Sequence, residues 1–535
     1  MKFRRIAGLV ASVTVSALAL TACSGAAADN GSGDTSGVVL ASGSEPQHPL
    51  VPTATNETGG GRVVDLLFAG LIRYDAKGAP HNEVAQSIET TDAQTYTITL
   101  KPDWTFTNGD PITATSFVDA WNYGALLSNA QLSSYFFESI EGFSYDADSV
   151  LTGLTVVDDA TFTVKLKQPE ADFPLRLGYP AFAPLPQVAY DDMAAFGENP
   201  IGNGPYKFAK DGAWEHNVGI DLVPNTDYLG ERVVENAGVR FTFYGTPDSA
   251  YNDLLAGQLD VLDSLPDSAF GTFESELGDR AVNQPAAIFM SIVIPQYLEH
   301  FSGDEGILRR QAISFAINRP EITDAIFQGT RTPASDFSSP VVPGWSDSIV
   351  GAEVLTFDEK KAQALWAQAD KMSPFTGSFT IGYNSDGGHA TWVDAVTNGL
   401  RNTLGIEAEG HPFPTFAEMR DVVDAGTITG AFSGGWQADY PSLYNFLGPL
   451  YATDAGSNDG RYSNPAFDAL LTQGSAATSV DEANTFFDQA QEILLQDLPA
   501  IPLWYTNVVG GSSTEVSNVE FGWNSVPLLY QVTKN

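Results

Sequence analysis

The stretch Leu308-Arg-Arg-Gln-Ala-Ile-Ser-Phe-Ala-Ile-Asn-Arg-Pro-Glu-Ile-Thr-Asp-Ala-Ile-Phe-Gln-Gly329 carries the signals of two consecutive helices. One amphipathic helix ends near Asn318. Pro320 suits the first turn of the second, where a missing N–H costs nothing, and Gly329 can end it. Ile313, Phe315, Ile322 and Phe327 would pack the pair into a hairpin. Outward from this hairpin, helical spacing recurs at Ala362, Leu365, Trp366, Ala369 and Met372. It returns at Trp392, Val396, Leu400 and Leu404 before Gly405, and at Phe486, Ala490, Ile493 and Leu494 before Pro499. Strand-like segments interleave with these: Tyr96–Leu100 and Thr161–Leu166 alternate with period two, and Asn217–Val223 and Val239–Tyr244 resemble them. The chain therefore reads as a mixed α/β or α+β protein in more than one lobe.

Size and charge bound the function. The 535 residues are too many for one hydrophobic core, and 43% apolar content fits a soluble globular chain. There are 26 basic against 66 acidic side chains, a formal −40. Such a surface repels nucleic acid and anionic lipid, while it favours solubility and attracts cationic solutes.

The first residues read as a secretory signal. Lys2, Arg4 and Arg5 precede 15 uncharged residues, Ile6 to Leu20, which are too few for a comfortable bilayer span. Leu20-Thr-Ala-Cys23 resembles a bacterial lipobox, which implies a signal peptide over residues 1–22 and a lipid on Cys23. Removing residues 1–22 takes away three basic and no acidic side chains, leaving −43. Cys23 is the only cysteine, so an intrachain disulfide is impossible. Residues 24–37 hold no large apolar side chain and read, with Cys23, as a lipidated flexible tether over 23–37.

Six motifs in order resemble the large extracytoplasmic solute-binding proteins of peptide and nickel importers, the oligopeptide- and dipeptide-binding family. They are Gly43-Ser-Glu-Pro-Gln47 with Leu66-Leu-Phe-Ala-Gly-Leu71; Trp104-Thr-Phe-Thr-Asn-Gly-Asp-Pro-Ile-Thr-Ala114 with Phe117 and Trp121; Pro200-Ile-Gly-Asn-Gly-Pro-Tyr206; Gly257-Gln-Leu-Asp260; Arg309 to Glu321; and Gly434-Gly-Trp-Gln-Ala-Asp-Tyr-Pro441. The resemblance implies a two-lobed periplasmic-binding-protein-like fold with an additional inserted domain. Residues 38–61, 188–285 and 505–535 would form a discontinuous lobe I, 62–187 the inserted domain and 286–504 lobe II. It further implies an extracytoplasmic monomer, tethered to the cell membrane by its lipid alone, that captures short peptides and delivers them to the permease subunits of an ABC importer.

The same resemblance assigns ligand-binding residues. Asp439 would take the peptide α-ammonium, a charge-assisted bond of about 1.5–3 kcal/mol. Trp436 would wall a side-chain pocket, Gly435 would admit ligand backbone, and Gln437 lies between Trp436 and Asp439 in the same motif. Glu45 and Gln47 would sit at the cleft edge, where a peptide adds as an extra strand. His389 would face the peptide's C-terminal carboxylate; Phe413 and, from the inserted domain, Tyr135 would line pockets. One departure stands out: Ala425 to Gly435 holds no basic residue where well-known oligopeptide binders place Arg. A grip on the C-terminal carboxylate at one fixed length is therefore not expected from that stretch.

Other readings stay open. Within the family, an oligosaccharide, a metal chelate or another small solute could replace the peptide, and a sensing role would look the same as transport. A secreted hydrolase using a carboxylate pair is a distant alternative, since 66 acids guarantee chance pairs. Enzymes are otherwise disfavoured: there is no Gly-x-Ser-x-Gly, no His-Glu-x-x-His and no P-loop, because Gly59-Gly-Gly61 runs into Arg62-Val63. His48, His81, His216, His300, His389 and His411 show no metal-ligand spacing, so no cofactor is expected.

Overall fold

The computed structural model describes residues 37–385 and 388–535; the readings of a signal peptide, a lipidated Cys23 and nearly all of a tether fall on residues 1–36, outside the described residues. Among them, twelve strands form one continuous sheet. Val38–Gly43 pairs in parallel with Gly238–Phe243, from Val38 opposite Gly238 to Gly43 opposite Phe243. Gly219–Pro224 and then Tyr206–Phe208 extend that side antiparallel. At the other end, Ala431–Gln437 lies antiparallel to Ala281–Val293, and Ser378–Asn384 and Glu407–Phe413 follow in parallel.

Two long antiparallel strands, Ala281–Val293 and Ala500–Ser512, join the halves. Pairing runs from Ala281 opposite Gly511 to Pro285 opposite Asn507 and resumes at Phe289 opposite Tyr505. Residues 286–288 bulge out between these points and bond elsewhere: Ala287 N–H donates to Trp523 O at 2.9 Å, and Ala287 O accepts from Ala438 N–H at 2.9 Å. The apolar cores divide near this bulge. One cluster gathers residues such as Val39, Phe117, Trp121, Phe241 and Val508. A second large one gathers Ala287, Phe315, Trp392, Phe487 and Tyr505, and two smaller clusters lie beside them. The fold is thus mixed α/β and two-lobed.

A four-stranded antiparallel sheet, ordered Ala85–Glu89, Thr95–Leu100, Thr161–Lys165 and Leu154–Asp158, organises the 62–187 segment. It shares the first cluster with the strands Val38–Gly43, Gly219–Pro224 and Gly238–Phe243, and residue 62 falls inside the helix Thr58–Leu67. The aromatic motif makes sense here. Gly109 turns at φ +88°, and Thr113 caps the helix Ala114–Ala125. That helix buries Phe117 and Trp121 completely, with Trp121 Nε1 donating to Phe182 O at 3.0 Å. In the Pro200–Tyr206 turn, Asn203 bonds both the N–H (3.0 Å) and the carbonyl (2.9 Å) of Ala69. A Cβ on Gly202 would collide with Leu67 O. Asp260 is fully buried and accepts from Leu40 N–H at 2.8 Å and Lys534 Nζ at 2.6 Å, stapling the first strand to the C-terminal tail.

The hairpin at 308–329 forms as Gly303–Phe315 and Arg319–Ala325. The first helix ends at Phe315, because Asn318 caps the second, and Gly329 (φ +80°) lies in the turn beyond it. Helix Val480–Asp497 departs from expectation by one position: Phe487 is buried and Phe486 only partly so, and Leu498 in the left-handed region caps the end.

Candidate functional site

Ala438 N–H, held by Ala287 O, fixes the chain as it leaves the strand Ala431–Gln437. A short loop then leads to the helix Tyr444–Tyr451. From the first turn of this helix the buried Asn445 reaches back. Its Oδ1 accepts from Trp436 Nε1 at 3.1 Å and from Asp439 N–H at 2.9 Å, and its Nδ2 donates to Asp439 Oδ2 at 3.2 Å. One side chain therefore orients both the indole and the carboxylate. Burial pushes the Asp439 carboxyl up to about 6; the Asn445 hydrogen bond and the Arg176 charge oppose this without cancelling it. No described cation forms an ion pair with Asp439. It lines a cavity of about 800 Å³ together with Trp436, Tyr440 and Tyr444.

The facing wall comes from the 62–187 segment: Tyr135, Phe136, Glu138, Tyr145, Lys167 and Arg176. Tyr135 stacks on Phe136 (4.5 Å between centroids), which stacks on Tyr179 (4.0 Å). Burial, reinforced by the Asp439 charge, pushes the hydroxyl pKa values of Tyr135 and Tyr179 upward, so both stay neutral. Arg176 pairs with Glu170 at 3.0 Å and Asp172 at 3.8 Å, and its guanidinium lies 5.3 Å from the Tyr440 ring centre. The walls also touch directly: Ser442 hydroxyl donates to Asp172 Oδ2 at 2.9 Å, and Ala171 N–H donates to Ser475 O at 2.8 Å.

Of the residues singled out in the sequence, Asp439, Trp436 and Tyr135 meet at this cavity. Gln437 is exposed opposite Ile288. Gly435 is exposed and lines a separate cavity of about 100 Å³, and a Cβ there would sit 2.8 Å from Met290 Sδ. The remaining four lie apart from the large cavity. Glu45 accepts from Trp214 Nε1 (3.2 Å), bonds His216 Nδ1 (2.8 Å) and accepts from Asn217 N–H (2.8 Å), so its carboxylate is engaged by the 214–217 segment. Gln47 is exposed, its N–H donating to Glu57. His389 precedes the helix Ala390–Leu404 and accepts from Trp392 Nε1 at 3.0 Å through Nδ1. Phe413 packs against the small cluster of Met419, Val423, Ile428 and Phe432. Among the described residues no group of three or more His, Cys, Asp and Glu could hold a metal ion, and no helix is long and apolar enough to cross a membrane.

Sequence reasoning did not find Asn445, Tyr179, Arg176 or Lys167. Asn445 had a signal, six residues after Asp439 at a helix start; the other three come from a distant segment that only the fold brings here.

The family model of bacterial extracellular solute-binding proteins, family 5 (middle region), matches residues 79–458. The oligopeptide-binding protein OppA of Bacillus subtilis is 24% identical over 523 residues, covering 93% of each chain. The periplasmic murein peptide-binding protein MppA of Escherichia coli is 25% identical over 471 residues, 83% of each. The crystal structure of Haemophilus influenzae OppA in complex with RPPGFSPFR superimposes with a TM-score of 0.71 at 23% identity, covering 94% of this chain and 99% of that one.

Proposed function

The chain belongs to the bacterial extracellular solute-binding proteins of family 5, and from that premise we propose that it captures short peptides in the cavity before Asp439 and hands them to an ABC importer. The observation that carries this reading is the Asp439 carboxylate: desolvated, oriented by Asn445, without a cationic partner among the described residues, and facing a cavity of about 800 Å³. A peptide α-ammonium supplies the missing charge and three donors. The names of OppA and MppA, which bind oligopeptides and murein peptides, support the same ligand class. The protein acts as a carrier with no catalytic step, a role supported by its family.

The division proposed is lobe I over 38–61, 188–285 and 505–535, an inserted domain over 62–187 and lobe II over 286–504. A monomer, tethered through a lipid on Cys23, would present the loaded lobes to the permease. Replacing Cys23 by Ser should release the protein from cells into the medium.

The deciding experiment is calorimetric titration of the soluble form, residues 24–535, with tri- to hexapeptides and with the same pool N-acetylated. Binding of the free pool, lost on acetylation and weakened in Asp439→Ala, is expected. Equal binding of both pools would remove Asp439 from its role. If neither bound, the aromatic wall of Tyr135, Tyr145, Trp436 and Tyr444 would favour an oligosaccharide instead.

A further inference from the structure

A zwitterionic ligand that places its ammonium at Asp439 must leave its carboxylate somewhere. The wall formed by residues 436–476 offers no Lys, Arg or His to the cavity. On the opposite wall stand two basic side chains in contrasting circumstances. Arg176 is buried, and its charge is already balanced by Glu170 and Asp172. Lys167 is exposed; its backbone N–H is fixed to Ser139 O at 2.8 Å, and its ammonium rests 5.4 Å from the centre of the Phe143 ring. No described carboxylate forms an ion pair with it.

Resting on the peptide reading above, we propose that Lys167 receives the C-terminal carboxylate of the bound peptide, so that the two termini are gripped from opposite walls. An ammonium on a flexible four-carbon stem is a point charge that meets carboxylates at several depths, unlike the fixed fork of an Arg. The grip therefore accommodates more than one peptide length. It also answers the absence of a basic residue from Ala425 to Gly435, since the cation is supplied by a different segment. Because Lys167 is solvated, the effect is modest, about fivefold in affinity.

The test is calorimetric titration of a tri- to hexapeptide pool, as free acids and as C-terminal amides, into the wild type, Lys167→Met, Lys167→Arg and Lys165→Met. Lys165 pairs with Glu141 at 3.1 Å and does not line the cavity, so its variant controls for net charge. Amidation should weaken binding to the wild type about fivefold. Lys167→Met should lose that factor for free acids alone, Lys167→Arg should keep the discrimination, and Lys165→Met should match the wild type. Equal affinity of the wild type for both pools, or a loss in Lys167→Met that is the same for both, would overturn the carboxylate role and leave peptide capture standing. Failure of both pools to bind the wild type would overturn the peptide reading and this inference with it.

Discussion

At the scale of single residues, Asp439 sets function against stability. Its folded pKa of about 6 lies above the 3.8 of an unperturbed Asp, so the folded chain holds a proton more tightly than the unfolded one. The contribution to stability is therefore complete below about pH 4 and is lost as pH rises through about 6. At neutral pH the buried charge costs on the order of 2–3 kcal/mol. Asp439→Asn removes that cost and keeps an oxygen for Asn445 Nδ2. The ligand-free variant should melt higher than the wild type at pH 7.5 and no differently below pH 4; a variant that melts lower at pH 7.5 would refute the burial argument. Ligand binding should show the reverse preference. The ammonium needs a charged Asp439, so peptide affinity should fall about tenfold between pH 7.5 and pH 5 in titrations. Flat affinity over that range would mean that another group takes the ammonium. The sequence pointed to Asp439 and Trp436 because they share one motif. It could not show that the Glu45 carboxylate has partners of its own, since Trp214 and His216 lie some 170 residues away.

At the scale of elements, periodicity was a sound guide wherever one face meets one core. Glu359–Met372 and Ala390–Leu404 form within a residue or two of expectation, the latter closed by Gly405 at φ +69°. Helix Val480–Asp497 shows where periodicity runs out. Phe486 and Phe487 are equally apolar, and a slot in the neighbouring helix Pro465–Ser475 chooses between them. There Gly474 lets the buried Phe487 ring lie where a Cβ would stand. Gly474→Ala gains about 1 kcal/mol of helix propensity but forces the ring off its seat, a net loss of about 1–2 kcal/mol. Urea denaturation should show this lower midpoint, and a higher one would mean that the ring yields freely. The long strands Ala281–Val293 and Ala500–Ser512 were illegible for a different reason. Pro285, Pro502 and Gly510-Gly511 break any alternation, and strands whose faces change from one core to another have no single period to display.

At the scale of the whole molecule, the two cores are joined through these two strands, and the cavity walls are also bridged by Tyr440, which packs in the first cluster beside Arg176, and by hydrogen bonds. Ser442 to Asp172 and Ala171 to Ser475 are single hydrogen bonds between segments remote in sequence. Net bonds of this type contribute about 0.5–1.5 kcal/mol, or somewhat more to a charged acceptor. Two apolar cores of this size cannot rearrange so cheaply, because close-packed interiors do not deform continuously. A change that admits a ligand should therefore leave the bulk of both cores intact, break the hydrogen bonds and draw Tyr440 from the rim of the first cluster, with flexing at the 286–288 bulge. A ligand that contacts both walls binds the bridged arrangement better and shifts the population towards it. Small-angle scattering should then show a smaller radius of gyration at saturation than in the ligand-free protein. Ser442→Ala, which deletes the bond to Asp172, should enlarge the ligand-free value and weaken binding about three- to tenfold while leaving the ligand-saturated value unchanged. Identical scattering with and without ligand would mean that the walls stand fixed and the ligand enters a preformed cavity; the Ser442 bond would then contribute to stability alone.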